Sequence, residues 1–147
     1  MSDKPRVLFL CTGNSCRSQM AEGWLRTLAD GRLVSLSAGT DPHGLNPLAV
    51  RAMAEAGVDI SGQSSDPIQA YLDDPPELVI AVCTSAAESC PTLPGATRVL
   101  RWPFDDPAGA SGTDEEVFAV FRRVRDEIRE RLAAWLAAGA EPLALAR

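Results

Sequence analysis

Two short, uninterrupted apolar runs constrain the fold of this chain more than any other feature. Residues 7–10 read Val-Leu-Phe-Leu, and residues 78–82 read Leu-Val-Ile-Ala-Val. Runs of this length without polar alternation are typical of strands buried on both faces of a parallel sheet. Because parallel strands need long crossover connections, usually helices, the sequence predicts an α/β fold.

Residues 33–37 and 98–102 are predicted as two further strands, which brings the sheet to four. Alternating strands and helices with right-handed crossovers place helices on both faces of such a sheet. The expected architecture is therefore a four-stranded parallel sheet flanked by helices on both faces. A chain of 147 residues suits one domain, spanning 1–147.

Three helices are predicted from their end signals. The first covers residues 18–29, and residues 64–72 form a short helix or turn. A second helix begins at Asn46-Pro47, a good cap followed by a residue suited to the first turn, and ends at Gly57. The last opens with a capping box at residues 113–116. Its core face is predicted from apolar residues at helical spacing: Val117, Phe121, Val124, Ile128, Leu132 and Trp135.

Charge and hydropathy exclude several classes of function. The net charge is −6, and a surface this acidic repels nucleic acid. No apolar stretch approaches the length needed to cross a bilayer, so we expect a cytoplasmic protein, most simply a monomer. Four cysteines in a reducing compartment favour reactive thiols over structural disulfides. The alternative is four buried, inert cysteines.

Reactive side chains follow three of the predicted strands. Cys11 comes after the first strand, Cys83 and Cys90 after the third, and Asp105 and Asp106 after the fourth. In open parallel sheets, ligands bind beyond the carboxyl ends of the strands, where strand order reverses. We therefore expect these three segments to meet at one edge of the sheet.

The segment of residues 11–18, called here the anion loop, links a buried strand to a helix N-terminus. Its small residues allow successive backbone N–H groups to point inward and bind a tetrahedral oxyanion, and the Arg17 guanidinium adds a two-pronged donor. Cys11 is the predicted nucleophile, stabilised as a thiolate by the same donors and by Ser18. Cys16 is interpreted as structural. The loop reads Cys11, Thr12, Gly13, Asn14, Ser15, Cys16, Arg17 and Ser18.

This loop, with the Gln-Met-Ala-Glu-Gly that follows it, resembles the low-molecular-weight protein tyrosine phosphatase superfamily, and within it the thioredoxin-coupled arsenate reductases. The similarity covers nearly the whole chain. It continues through Ser37-Ala38-Gly39, Cys83, Cys90-Pro91, Trp102, Phe104-Asp105-Asp106-Pro107 and residues 123–128.

The resemblance implies a three-cysteine mechanism for reducing arsenate to arsenite. Cys11 attacks arsenic, and Asp106 acts as general acid. Cys83 then attacks the Cys11 sulfur and releases arsenite, and Cys90 resolves that disulfide into a Cys83–Cys90 pair, which thioredoxin reduces. Asp105 is interpreted as a loop or capping residue, although the sequence leaves an exchange of roles with Asp106 open.

Two alternatives stand beside this reading. One is a phosphatase of phosphate monoesters, since both reactions use the same loop and general acid. Against it, residues 107–109 after the Asp-Pro step are Pro-Ala-Gly and supply no aromatic wall, and a hydrolase has no need of Cys83 and Cys90. The other is a non-enzymatic module that binds an oxyanion or senses redox state.

No tightly bound cofactor is expected. Zinc is excluded by the absence of a Cys-x2-Cys pair, and the single histidine, His43, is interpreted as a surface loop residue rather than a base. Some relatives bind a potassium ion beside the loop. The matching positions here are Asn14, Glu22, Ser37 and Asp66, which would otherwise form a hydrogen-bonded network that braces the loop.

Overall fold

A computed structural model describes residues 4–83, 93–96 and 98–143 and contains a four-stranded sheet. The strands are β1 (Arg6–Cys11), β2 (Val34–Gly39), β3 (Leu78–Ala81) and β4 (Val99–Arg101). All three strand pairings are parallel, and the order across the sheet is β2-β1-β3-β4. The predicted four-stranded parallel sheet is confirmed.

The strand order reverses beside β1. From β1 the chain crosses to β2 at one edge, then returns to β3 on the other side of β1 and continues outward to β4. The crevice beyond the carboxyl ends of β1 and β3 is therefore the topological switch point, where ligands bind in open α/β sheets. Cys11 is the last residue of β1 and lies at this crevice.

The three predicted α-helices are present: α1 (Arg17–Ala29), α2 (Pro47–Glu55) and α3 (Asp114–Ala137). The Asn46 side chain caps α2 by accepting a hydrogen bond from the Leu48 amide at 2.8 Å. Thr113 and Glu116 form both hydrogen bonds of the predicted capping box at the start of α3. In the described part of the chain, no helix has the length and apolar character needed to span a membrane.

The two faces of the sheet are covered differently. Val7 and Phe9 of β1 point toward α1, α2 and α3, which together form the larger core. Leu8 and Leu10 point to the opposite face, where the 3-10 helix Ile68–Tyr71 and Leu93 pack against them. Strand residues are thus buried on both faces, as the uninterrupted apolar runs predict, and the segment 64–72 contains the predicted short helix.

Candidate active site

Two of the three predicted reactive segments, the anion loop and the segment after β4, line one cavity at the carboxyl edge of the sheet. The cavity measures about 580 Å³. Cys11 and Arg17 from the anion loop line it together with Asp106, which follows β4. The full lining comprises Cys11, Thr12, Gly13, Ser15, Cys16, Arg17, Thr40, His43, Asp106 and Ala108.

Cys11 lies at the floor of this cavity, with 3% of its surface exposed. Its Sγ lies 2.9 Å from Ser18 Oγ. The same Ser18 oxygen accepts a hydrogen bond from Asn14 Nδ2 at 2.8 Å. With the Asn14 amide donating to its oxygen, Ser18 keeps its proton free to donate to the sulfur, and this hydrogen bond would stabilise the anionic form of Cys11.

Asn14 holds the anion loop in shape. It is fully buried and has a φ of 45°, in the left-handed region that asparagine tolerates better than most residues. Its Oδ1 accepts a hydrogen bond from the Asp66 amide at 2.8 Å. Its backbone carbonyl accepts bonds from Gln19 Nε2 and Ser65 Oγ, both at 2.9 Å. These long-range contacts fix the curve that turns the loop amides toward the cavity.

The loop between β2 and α2 runs beside the anion loop and lines the cavity mouth with Thr40 and His43. The amides of Asp41 and His43 donate to the carbonyls of Thr12 and Gly13, each at 2.9 Å. Sequence reasoning did not place this loop at the site. The position of this loop could have been predicted, because the parallel strand β2 ends at the same edge of the sheet as β1. His43 does lie in an exposed loop, as predicted, with its Nε2 3.6 Å from Asp41 Oδ2.

Gly39, the last residue of β2, permits this close approach. A Cβ atom at this position would lie 2.5 Å from the Thr12 carbonyl oxygen, which is backbone and cannot move aside cheaply. Only glycine therefore fits where the β2–α2 loop leaves the sheet to pass the anion loop.

Arg17 joins the anion loop to the segment after β4. Its side chain is almost fully buried, and its Nη1 donates to the Phe104 carbonyl at 3.2 Å. Its Nη2 lies 3.6 Å from Asp106 Oδ2. The guanidinium is thus oriented by protein groups before any oxyanion enters. Among the buried side-chain nitrogen and oxygen atoms of the described residues, only Thr12 Oγ1 has no hydrogen-bond partner. This hydroxyl is a further donor available to an oxyanion.

The two neighbouring aspartates have separate environments. Asp106 lines the cavity, and its Oδ1 accepts a hydrogen bond from the Ala108 amide at 3.0 Å, which caps the 3-10 helix Pro107–Gly109. Asp105 instead pairs with Arg123 of α3 at 3.1 Å and does not line the cavity. This geometry favours Asp106 as the general acid and gives Asp105 a structural contact outside the site.

Cys16 is buried in the anion loop, and burial raises the pKa of its thiol to about 11, although the Ser15 hydroxyl at 3.6 Å opposes the shift. The nearby carboxylate of Asp106 raises this pKa further. Cys16 therefore stays a neutral thiol at physiological pH, which supports its interpretation as a structural residue.

Cys83 lies beside Cys11 at the sheet edge. Leu10 pairs with Ala81, and the Val82 amide donates to the Leu10 carbonyl at 3.0 Å, so Cys83 is one residue beyond the position opposite Cys11. The register therefore brings Cys83 close to Cys11 just beyond the carboxyl ends of the two neighbouring strands. Cys83 is buried and disulfide-bonded, whereas Cys11 and Cys16 are free thiols. Cys90 lies outside the described residues.

The four candidate potassium ligands lie together behind the anion loop. Ser37 Oγ donates to Glu22 Oε1 at 2.6 Å, and Asn14 Oδ1 accepts from the Asp66 amide. Burial raises the pKa of the Glu22 carboxyl, and the charge of Asp66 raises it further. The Ser37 hydroxyl and the charge of Arg26 lower this pKa but do not cancel the shift. No cluster of three His, Cys, Asp or Glu side chains suited to a metal occurs within the described ranges. Two carboxylates, an amide and a hydroxyl nonetheless match the oxygen ligands that a hard cation prefers. The hydrogen bonds among these residues brace the loop even when no cation is bound.

Comparison with protein families matches residues 6–144 to the low molecular weight phosphotyrosine protein phosphatase family. The chain belongs to this family. The matched range spans the anion loop, Cys83 and Asp106.

Proteins similar to this chain include several arsenate reductases. The chain is 53% identical to the arsenate reductase of Halalkalibacterium halodurans over 130 residues, covering 88% of this chain and 94% of that protein. A solved arsenate reductase in a phosphate-binding state matches with a TM-score of 0.75 at 37% identity, covering 91% and 98% of the two chains. The predicted place of this chain among the arsenate reductases of the superfamily is confirmed.

A third relative is the thioredoxin-dependent arsenate reductase of Corynebacterium glutamicum. Its structure matches with a TM-score of 0.65 at 26% identity. The match covers 93% of this chain and 64% of that one.

Proposed function

We propose that this protein is an enzyme that reduces arsenate to arsenite through a relay of Cys11, Cys83 and Cys90, with thioredoxin as external reductant. One observation carries the proposal: Cys11 lies at the floor of an oxyanion cavity, and a disulfide-bonded cysteine, Cys83, follows the adjoining strand β3. A hydrolase needs the first cysteine only, whereas a reductase needs thiols that give up two electrons.

In the first step the Cys11 thiolate attacks arsenic. The anion-loop amides, the Thr12 hydroxyl and the Arg17 guanidinium hold the arsenate oxygens, and Asp106 donates a proton to the departing oxygen, which leaves as water. Asp106 is within 3.6 Å of Arg17, so the acid and the anion-binding guanidinium face the same oxyanion.

Electrons move in the second step. The Cys83 thiolate attacks Cys11 Sγ, the sulfur–arsenic bond breaks, and its electron pair stays on arsenic, which leaves as arsenite. A Cys11–Cys83 disulfide remains. The Cys90 thiolate then attacks Cys83 Sγ and releases Cys11 as a thiolate. The two-electron oxidation now resides in a Cys83–Cys90 disulfide.

Thioredoxin is proposed as the reductant of that disulfide. The cycle consumes one dithiol per arsenate, so multiple turnovers require an external supply. The thioredoxin dependence of the Corynebacterium glutamicum relative supports this choice. A potassium ion held by Asn14, Glu22, Ser37 and Asp66 would supply positive charge that steadies the anion loop. Cytoplasmic location and a monomeric state remain predictions from the sequence.

The cavity walls favour a small oxyanion over an aryl phosphate. The lining contains no Phe, Tyr or Trp side chain among the described residues, and Ala108 occupies the wall after the Asp-Pro step. Phosphate monoester hydrolysis is the alternative function, and we expect it as a slow side reaction, because phosphate and arsenate share the same tetrahedral shape.

The decisive experiment is a steady-state arsenate assay coupled to thioredoxin, thioredoxin reductase and NADPH. The native protein should produce arsenite over many turnovers. Cys11→Ser should abolish both arsenate reduction and ester hydrolysis. Cys83→Ser and Cys90→Ser should each retain hydrolysis of p-nitrophenyl phosphate and lose multiple-turnover reduction.

Ser61→Ala, at an exposed serine outside the cavity, is the control and should keep multiple-turnover reduction. Rapid ester hydrolysis without arsenate-dependent NADPH oxidation would make the protein a phosphatase instead. Native rates of reduction in Cys90→Ser would contradict the relay while leaving arsenate reduction itself intact.

A further inference from the structure

Residues 102–106, called here the acid loop, carry Asp106 to the cavity and are attached to the sheet at two points. The Trp102 amide donates to the Ala81 carbonyl at 2.8 Å, and the Phe104 amide donates to the Val82 carbonyl at 3.3 Å. Phe104 is buried and its carbonyl accepts from Arg17. The loop is thus fixed as far as Phe104, and its last two residues carry no backbone hydrogen bond to the sheet among the described residues.

Beyond Phe104, the next fixed point is a side chain. Asp105 Oδ2 accepts a hydrogen bond from Arg123 Nη2 at 3.1 Å, and Arg123 Nη1 in turn contacts the Glu127 carboxylate, one turn further along α3, at 3.1 Å. Arg123 is therefore shared between its own helix and the acid loop. The contact joins residues 18 apart in sequence, so it ties the loop to α3 rather than completing a local turn.

Two arginines thus separate two adjacent acids. Asp105 points outward to Arg123, while Asp106 points inward to Arg17. Without Arg123, the Asp105 carboxylate would lose its outer partner and could rotate toward the guanidinium of Arg17. A second negative charge there would repel the Asp106 carboxylate and disturb its direction.

We propose that Arg123 is a positioning residue for the general acid: by holding Asp105 outward, it sets the direction of Asp106 toward the departing oxygen. This inference rests on the proposed function for its role in arsenate reduction. Both partners are about half exposed or more, with 48% and 66% of their side-chain surfaces accessible. Exposed pairs contribute little to stability, so the expected consequence is kinetic and of about three- to fivefold.

The test compares phosphate esters that differ in their need for an acid. Phenyl phosphate has a poor leaving group and depends on protonation, whereas p-nitrophenyl phosphate has a good one and depends on it less. Arg123→Gln should lower kcat for phenyl phosphate about fivefold and for p-nitrophenyl phosphate less than about twofold, with KM little changed. Asp105→Asn should act in the same direction, and the double variant should be no slower than either single variant.

Two further variants separate positioning from general damage. Glu127→Gln removes the helix partner of Arg123 and leaves the loop contact, so both kcat values should stay native. Arg123→Lys keeps a positive charge near Asp105 and should restore most of the phenyl phosphate activity. Equal loss on both esters, additive loss in the double variant, or the same loss in Glu127→Gln would overturn the inference.

The same variants are assayed for thioredoxin-coupled arsenate reduction. If the native protein reduces no arsenate, the proposed function fails, and the ester comparison still decides the role of Arg123. If arsenate is reduced but Arg123→Gln matches the native protein on both esters and on arsenate, the positioning role fails and the proposed function stands.

Discussion

The hydroxyl oxygen of Ser18 lies 2.9 Å from the Cys11 sulfur and accepts the Asn14 side-chain amide at 2.8 Å. Asn14 sets the direction of the second of these hydrogen bonds, because its Nδ2 can only donate. The Ser18 proton is then free to donate to the sulfur at the floor of the cavity.

Ser18→Ala should therefore weaken the nucleophile. Loss of a hydrogen bond to a charged group lowers kcat/KM for arsenate about tenfold, while KM changes little because Ser18 does not line the cavity. Thioredoxin-coupled kinetics measure this. Ser61→Ala, at an exposed serine that bonds to Asp59, is the control and should behave as the native protein. An unchanged rate in Ser18→Ala would show that the loop amides alone stabilise the thiolate.

Asn14 should contribute measurably to the stability of the folded protein. Asn14→Ala deletes the bonds to Ser18 and the Asp66 amide and places alanine at a φ of 45°, which together cost about 3 kcal/mol. Asn14→Gly deletes the same bonds but tolerates the backbone angle, so it should be about 1 kcal/mol more stable than Asn14→Ala. Urea unfolding of both variants gives the comparison. Equal stability would mean that the loop relaxes away from this φ.

Replacement of the two aspartates should lower kcat to different extents. Asp106→Asn removes the proton donor that faces the cavity and should lower kcat for arsenate on the order of a hundredfold. Asp105→Asn leaves that donor in place and should cost only about three- to fivefold, through the contact with Arg123. Single-turnover arsenite release, measured on both variants, isolates the chemical steps. A larger loss in Asp105→Asn than in Asp106→Asn would reverse the assignment of the acid.

Glu22 gives a prediction for pH and potassium. Burial raises the pKa of Glu22 above its ordinary value of 4.5, so the ionised carboxylate lowers stability at neutral pH. This penalty is relieved as pH falls through the raised pKa toward 4.5. Without potassium, Glu22→Gln should therefore have a Tm at least equal to that of the native protein at pH 7, and the difference should shrink on acidification.

Potassium should raise the Tm of the native protein more than tetramethylammonium at the same ionic strength, because only potassium is small enough to enter the cluster behind the loop. This gain should disappear in Glu22→Gln. Equal effects of the two cations on the native protein would leave the four residues as a hydrogen-bonded brace without an ion.

Much of the site follows from contacts that are local in sequence. Cys11, Asn14 and Ser18 lie within one loop between a strand and a helix, so their grouping follows from the pattern of the segment itself. The cavity mouth was harder to predict. His43 and Thr40 reach the site because β2 lies next to β1 and the backbone of the following loop bonds to Thr12 and Gly13.

The sequence by itself determined the strands, the helix caps and the anion loop, since apolar runs, capping residues and a loop at a helix N-terminus act over a few residues. Only the tertiary structure decided which aspartate faces the cavity. Asp105 and Asp106 are adjacent and chemically identical, and their directions depend on Arg123 of α3 and on Arg17. The packing of helices on the sheet brings these arginines from distant parts of the chain, so the sequence could assign Asp106 through the family resemblance but not through the contacts that direct it.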